Sequence, residues 1–213
     1  MQFFIEVLVG GLLSGVMYAL VALGFVLIYK ASGVFNFAQG AMVFFAALTF
    51  VGFQEVLPGW LGMEADSSIV FWLAFLLAFL AMIVLGVATE RIVLRPLVNQ
   101  PHITLFMATI GLTYVIEGIA QMTWGATVRG LDLGIVDEPI AWLMDNYEIG
   151  ISKFDLFAAG VAASLVALLA LLFQYTKVGR ALRAVADDHQ AALSIGIPLQ
   201  TIWRVVWAVA GFV

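Results

Sequence analysis

A row of polar side chains runs along the fourth apolar segment of this 213-residue chain. Thr109, Thr113, Glu117 and Gln121 recur every four residues, so on a helix they share one slowly turning face while the other faces stay apolar. A polar face inside a membrane must meet protein or water. The pattern therefore predicts either a polar pathway for a solute or a buried polar contact between helices.

Glu117 is the most informative residue of this row. A carboxylate that faces lipid costs at least about 2.5 kcal/mol, so Glu117 should face protein or a water-filled cavity, or be protonated. In one hypothesis it lines a solute pathway, where it accepts a hydrogen bond from a substrate ammonium group or belongs to a gate. In the other it makes a structural link between helices, with Ser14 or Tyr18 of the first apolar segment as its partner.

Two amides and a glycine, Asn36, Gln39 and Gly40, lie at the start of the second apolar segment. Unpaired amides are costly in lipid. They therefore either face a partner or a pore, or Asn36 simply caps the following helix. Both interpretations stay open. The candidate residues of a substrate pathway are Ser14, Tyr18, Asn36, Gln39, Thr113 and Glu117.

Residue types for covalent or metal chemistry are sparse. The chain has no cysteine, its histidines, His102 and His189, are isolated, and no acidic or histidine cluster has catalytic or metal-ligand spacing. The nucleotide-binding pattern G-x-x-x-x-G-K-[ST] does not occur either. We therefore expect neither an enzyme nor a bound metal, and any nucleotide should be bound by another chain. The net charge of −5 argues against a nucleic-acid partner.

The composition is that of a membrane protein. With 64% hydrophobic and 11% charged residues, the chain has more apolar surface than one soluble core could bury. A helix of about 20 apolar residues crosses a bilayer with every backbone group bonded internally. The predicted fold is all-α, a polytopic membrane bundle with five full spans and the start of a sixth. The spans are Phe3–Tyr29, Phe35–Phe53, Ile69–Ala88, Ile103–Trp124 and Phe154–Phe173, and the sixth runs from Thr201 to Val213. Because the last segment is too short to span, we expect a fragment truncated at its C-terminus.

Basic residues set the predicted orientation, because those close to span ends resist translocation. Two of them, Arg129 and Lys153, fall on one side of the membrane, and seven fall on the other. The seven are Lys30, Arg91, Arg95, Lys177, Arg180, Arg183 and Arg204. We therefore expect the N-terminus and the acidic loop 125–153 to face outward, and the loop 174–199 to face the cytoplasm.

Two further patterns concern packing and the membrane surface. Gly11, Gly15 and Ala19 form a stripe of small residues on the first span, which predicts that another helix packs closely there. In the outer loop, residues 142–149 combine Trp, Leu and Met with acidic residues, which predicts a short interfacial helix. This loop could dock a binding protein, and contact with lipid fits it equally well.

The loop 174–199 carries two helix signals. In the first, the basic residues of 177–183 recur every three positions, and Leu182, Val185 and Ala186 supply an apolar side. This pattern predicts a short amphipathic helix that continues from the fifth span.

The second signal predicts a helix at His189–Ile195. Asp187 or Asp188 can cap its start, and Gly196 and Pro198 can end it. A helix of about two turns is not stable alone in water. It must therefore pack on the protein's own helix ends or fill a groove in a partner.

Separate motifs resemble one family of transporters. Residues 190–196 resemble the EAA-x-x-x-G loop by which permeases of bacterial ABC importers dock on their ATPase subunits, with Gln190 in place of Glu. Residues 179–188 resemble the cytoplasmic loop of branched-chain amino acid permeases, the LivH/LivM family. Residues 33–40, which follow 18–24, are similar to the N-terminal signature of the LivH branch, with Gln39 where many relatives have His.

The resemblance implies a fold and an assembly. Residues 1–213 would form a single transmembrane permease domain in the bacterial inner membrane, with 174–199 as its coupling loop. The chain would pair with a LivM-like permease or with a copy of itself, and two ATPases and a periplasmic binding protein would join the pair. ATP and magnesium would belong to the ATPases, and this chain would bind no cofactor. The residues expected to couple to an ATPase are Arg180, Arg183, Asp187, Asp188, Gln190, Ala191, Ala192 and Gly196.

The function implied by the resemblance is ATP-driven, alternating-access import of branched-chain amino acids, or of related small amino acids, amides or urea. An ion- or proton-coupled transporter or channel that acts without an ATPase is the alternative hypothesis, with Glu117 as its ion site. A third hypothesis, an intramembrane enzyme, lacks a pair of nucleophile and base.

Overall fold

The computed structural model describes residues 2–33, 35–64, 67–97, 100–130, 133, 138–147, 149–187 and 199–212. This part of the chain is helical, with an isolated β-bridge between Pro139 and Ser152 and no β-strand. The helices are α1 Gln2–Ser32, α2 Gln39–Leu61, α3 Ser68–Ala88, α4 His102–Trp124, α5 Ala141–Tyr147, α6 Lys153–Tyr175, α7 Lys177–Asp187 and α8 Leu199–Phe212. After α3 the chain continues as a π-helical segment, Thr89–Leu94, and a 3-10 turn, Arg95–Leu97.

Five helices of the described chain are long and apolar enough to cross a membrane. They are α1, α2, α3 with its continuation to Leu97, α4 from Ile103, and α6. α8 carries a shorter apolar stretch, Ile202–Gly211. The predicted all-α membrane fold with five full spans is therefore confirmed. The outward N-terminus and the truncation stay predictions.

The second helix differs most from its predicted bounds of 35–53. Residues 35–38 form a turn in which Asn36 Oδ1 accepts a hydrogen bond from Ala38 N–H at 3.1 Å, and α2 begins only at Gln39. At its other end α2 continues through Pro58 and ends at Gly62, which has φ 64° and donates its N–H to Pro58 O. Glycine suits this left-handed position because it has no Cβ to clash with the backbone.

The contacts divide the chain into two compact units. Unit one comprises Met1–Leu23 and Asp132–Gly179, and unit two comprises Gly24–Leu131 and Arg180–Val213. In unit one a short hairpin-like contact precedes α6. There the N–H of residue 140 donates to the carbonyl of residue 151 at 3.0 Å, and Ser152 caps α6.

In unit two, α2 packs against α3 and α4, and α3 packs against α8. Glycines bring the backbones of α3 and α8 into contact. A Cβ on Gly86 would overlap the carbonyl oxygen of Trp207, and a Cβ on Gly211 would lie 2.6 Å from Met82 O. Small residues at such positions are the usual means by which membrane helices approach closely.

Candidate functional site

The turn between α1 and α2 holds the two amides predicted to lie at a gate. Asn36 is fully buried and Gln39 is 4% exposed. Asn36 Nδ2 donates to Gln39 Oε1 at 3.0 Å, and Gln39 Nε2 donates to Ala210 O of α8 at 3.3 Å. Asn36 Oδ1 accepts from Ala38 N–H, so it stabilises the turn rather than the free N–H groups of α2. In this conformation both amides are bonded inside the protein, and their pathway role stays a prediction.

Thr109 of α4 fastens this turn to the fourth span. It is fully buried. Its Oγ1 accepts from Phe37 N–H at 3.4 Å, and its hydroxyl lies 3.0 Å from Phe35 O and 2.9 Å from Phe106 O, either of which can accept its proton. A turn that is partly withdrawn from water needs partners for its backbone groups. Thr109 supplies them, a structural role that its place in the polar row did not reveal.

The rest of the polar row on α4 is more exposed. Thr113 is half-buried, and its hydroxyl donates to Thr109 O at 3.2 Å. Glu117 is half-buried and makes no hydrogen bond or ion pair with the described part of the chain. Gln121 is exposed. The row is therefore buried at Thr109 and exposed at Gln121, and between them lies a carboxylate without a partner among the described residues.

The structure leaves the link between Glu117 and the first span untested. Ser14 and Tyr18 are exposed residues of unit one, whereas Glu117 belongs to unit two. The small-residue stripe of α1 is exposed as well. A Cβ on Gly11 or Gly15 would meet no atom of the described chain within 4 Å. Close packing on this stripe also stays a prediction.

The predicted amphipathic helix is present as α7, but it does not continue directly from the fifth span. α6 ends at Tyr175, and Thr176 has an extended backbone with φ −91° and ψ 162°. Thr176 Oγ1 accepts a hydrogen bond from Gly179 N–H at 3.1 Å, as an N-cap does. Thr176 therefore starts a new helix, and its identity as a capping residue is the signal that the periodicity alone did not give.

One side of α7 is buried and the other is exposed. Leu182 is 4% exposed and Val185 is fully buried, while Ala186 is half-buried. The exposed residues include Lys177, Arg180, Arg183 and Asp187. The helix thus presents a basic surface. Contact of this surface with an ATPase stays a prediction.

The predicted second helix of the coupling loop, 189–195, lies outside the described residues. The same holds for the coupling candidates Asp188, Gln190, Ala191, Ala192 and Gly196. In the residues that the structure does describe, no group of three or more histidine, aspartate or glutamate side chains could hold a metal ion.

Two acidic residues have contacts that the sequence did not reveal. Glu6 of α1 accepts a hydrogen bond from Gly150 N–H at 3.1 Å, which ties α1 to the segment before α6. Glu90, two residues after the end of the third predicted span, is 1% exposed, and Arg204 Nε lies 4.0 Å from its Oε2. A charge next to a span resembles the start of a loop. The apolar residues 92–94 beyond it were the signal that the helix continues.

The helices and their apolar surfaces define the class of the molecule, a polytopic all-α membrane protein. The family described as "Branched-chain amino acid transport system / permease component" matches residues 7–213, so the chain belongs to this family.

Individual relatives agree with the family match. The chain is 25% identical to the high-affinity branched-chain amino acid transport system permease protein LivH of Salmonella typhimurium over 199 residues, 92% of this chain and 63% of that protein. LivH of Escherichia coli gives the same identity and coverage. The permease protein BraD of Pseudomonas aeruginosa is 24% identical, over 91% of this chain and 62% of its own length. The chain thus spans less than two thirds of these relatives, and no solved structure matches it.

Proposed function

We propose that the chain is a permease subunit of an ATP-driven ABC importer in the bacterial inner membrane. Its cargo would be branched-chain amino acids, or related small amino acids, amides or urea. The observation that carries the proposal is the match of residues 7–213 to the permease component of branched-chain amino acid transport systems. The names of the LivH and BraD relatives support the same substrate class.

The partners follow from the importer class. A second permease, LivM-like or a copy of this chain, would complete the pathway, and a periplasmic binding protein would deliver the substrate. Two ATPases would bind ATP and magnesium below. When ATP closes the ATPase dimer, a short helix seated in each ATPase would move as a lever on the attached spans. α7 supports this role because its buried apolar side fixes it to its own protein while its basic side stays exposed.

The polar residues suit a conduit of low affinity. Glu117 is half-buried and has no partner in the described chain, as a side chain that lines a hydrated cavity would. Asn36 and Gln39 would form an inner gate. Since Gln39 Nε2 is bonded to Ala210 O, opening of this gate would have to break the contact between the α1–α2 turn and α8. Alternating access would then exchange internal hydrogen bonds for bonds to water or substrate.

Transport in reconstituted vesicles tests the proposal. Proteoliposomes would contain the full-length protein, its partner permease and both ATPases, with loaded binding protein outside. We expect labelled leucine to enter when ATP is supplied inside, and no uptake when a proton or sodium gradient replaces ATP. Gradient-driven uptake in vesicles that lack the ATPases would refute the importer and favour the ion-coupled transporter. Competition by valine, amides and urea would identify the cargo.

A further inference from the structure

A carboxylate is buried where the third span gives way to the π-helical segment. Glu90 is the second residue of that segment, Thr89–Leu94, and only 1% of it is exposed. Neither of its carboxylate oxygens has a hydrogen-bond partner in the described part of the chain. A buried charge is strongly unfavourable unless another charge lies close to it. Arg204 Nε, 4.0 Å from Glu90 Oε2, is the charge that meets this need.

The packing of α3 against α8 brings these two residues together. Met82 of α3 contacts Gly211 of α8, and Gly86 of α3 contacts Trp207 of α8. A step of four residues towards the C-terminus of α3 thus matches a step of four residues towards the N-terminus of α8. The helices are therefore antiparallel neighbours in backbone contact. The next step of the same register puts Glu90 beside residues 203 and 204, where the ion pair is found.

The environments of the two charges differ sharply. The side chain of Arg204 is 50% exposed, whereas that of Glu90 is 1% exposed. The guanidinium can therefore be solvated without its partner, but the carboxylate cannot. Next to Arg204, the indole nitrogens of Trp203 and Trp207 are buried and have no hydrogen-bond partner in the described chain. Polar groups on both sides of this contact are thus left without hydrogen bonds in the described chain, which is rare for buried groups and calls for an explanation.

We propose that Glu90 and Arg204 are positioning residues that tie α8 to the third span and so transmit movement of the coupling loop to the membrane. α8 begins at Leu199, at the end of the predicted coupling loop 174–199, and Arg204 lies in its second turn. A displacement of the loop pulls directly on α8. The ion pair and the glycine contacts then carry that displacement to α3. This role rests on the importer proposed above, whereas the pair itself does not.

Unequal burial of the two charges gives a specific test in the full-length protein. Arg204→Gln leaves the buried Glu90 carboxylate without an opposite charge, so the amount of folded protein in membranes should fall at least about fivefold. Glu90→Gln removes the buried charge and leaves an exposed arginine, so the amount should stay within about twofold of wild type. The double variant should recover to the level of Glu90→Gln. Arg91→Gln is the matched control, because Arg91 is an exposed arginine of the same π-helical segment.

Transport by the assembled importer tests the positioning role. The double variant should assemble and hydrolyse ATP normally, yet take up at least about threefold less substrate per ATP, because the charge link between α3 and α8 is gone. Arg204→Lys, which keeps the charge, should couple better than Arg204→Gln. Equal amounts of folded Arg204→Gln and Arg91→Gln protein would refute the claim that Arg204 stabilises the buried Glu90 carboxylate. Wild-type coupling in the double variant would overturn the positioning role. If the wild-type transporter shows no ATP-driven uptake, both the proposed function and the coupling role are refuted. The amounts of folded protein would still show whether Glu90 and Arg204 form a stabilising ion pair.

Discussion

Trp124 of α4 rests directly on Gly52 of α2. A Cβ on Gly52 would overlap the indole ring, and the indole N–H donates to Thr49 Oγ1 at 3.3 Å. Phe53 meets the same ring at 5.6 Å between centroids with an interplanar angle of 74°, a favourable edge-to-face contact. One turn of α2 therefore forms a seat for Trp124 and joins the second and fourth spans.

Gly52→Ala should disturb this seat. The ring must move to admit the new methyl group, so we expect a loss of about 1–3 kcal/mol in the free energy of unfolding. Gly59→Ala is the control on the same helix, where a Cβ would meet no described atom within 4 Å. It should leave the free energy of unfolding unchanged or raise it by up to about 1 kcal/mol, because alanine favours a helix more than glycine does. Thermal unfolding of the purified protein in detergent measures both variants, and equal melting temperatures would contradict the seat.

Thr109→Val should loosen the turn between α1 and α2. Valine has a similar shape but leaves the partly buried Phe37 N–H and Phe35 O without the Thr109 hydroxyl, at a cost of up to about 1–3 kcal/mol. Thr123→Val is the control, because the Thr123 hydroxyl is bonded to Ile119 O of its own helix and lies on an exposed part of α4. Hydrogen exchange of residues 35–38 should quicken in the first variant alone. Unchanged exchange there would show that Thr109 does not hold the turn.

Cysteine labelling can establish the orientation of the spans. Residues 1–213 contain no cysteine, so an introduced thiol is unique within this part of the protein. A membrane-impermeant maleimide should label Val128→Cys in intact spheroplasts, and Val178→Cys only after the membrane is permeabilised, because the basic residues favour a cytoplasmic 174–199 loop. Both positions are exposed. The opposite labelling would invert the predicted topology.

Charge reversal on α7 should uncouple the importer. Arg180→Glu combined with Arg183→Glu places negative charge on the surface predicted to face an ATPase, and like-charge contacts at an interface cost several kcal/mol. Uptake per ATP hydrolysed should fall at least about tenfold. Ala191→Pro, which breaks the predicted second helix, should have the same effect. Lys30→Glu reverses a single charge at another exposed position, predicted to be cytoplasmic, and should transport normally. Normal uptake by the α7 variant in an intact complex would exclude this surface.

Glu117→Gln separates the two transport hypotheses. If Glu117 accepts a hydrogen bond from the substrate ammonium group, loss of its charge should raise the KM by about 10-fold or more, yet uptake should still depend on ATP. Gln121→Ala, on the same face of α4 but exposed, should leave the KM unchanged. Complete loss of uptake with intact ATPase binding, together with sensitivity to ionophores, would instead identify Glu117 as an ion site.

Apolar length alone predicted the spans, because the thickness of the bilayer and the need for internal hydrogen bonds leave the long helix as the solution. The ends of the spans were harder to predict. α2 starts four residues later than expected because the partly buried turn at 35–38 is bonded by Thr109, a residue 74 positions away from Phe35 in the sequence. No local pattern contains that contact.

The same physical limit applies to the candidate site. Gln39 could be singled out as an amide in an apolar region, but its acceptor, Ala210 O, is 171 positions further along the chain. The burial of Glu90 could not be predicted locally, because its partner, Arg204, lies on another helix. In contrast, the amphipathic α7 was predictable, since its buried and exposed sides follow directly from the local helical period.

The π-helical segment Thr89–Leu94 amounts to one additional residue within a turn. An α-helix turns by about 100° per residue, so everything beyond Leu94 leaves on a different azimuth from the one that an uninterrupted α-helix would give. The extra residue thus changes the positions of Arg95 and Pro96 around the helix axis. Deletion of a single residue between Thr89 and Leu94 would keep nearly every side chain of the span and yet swing the exit of the chain around the helix axis. The number of residues in this segment therefore helps to determine the direction in which the chain leaves the third span.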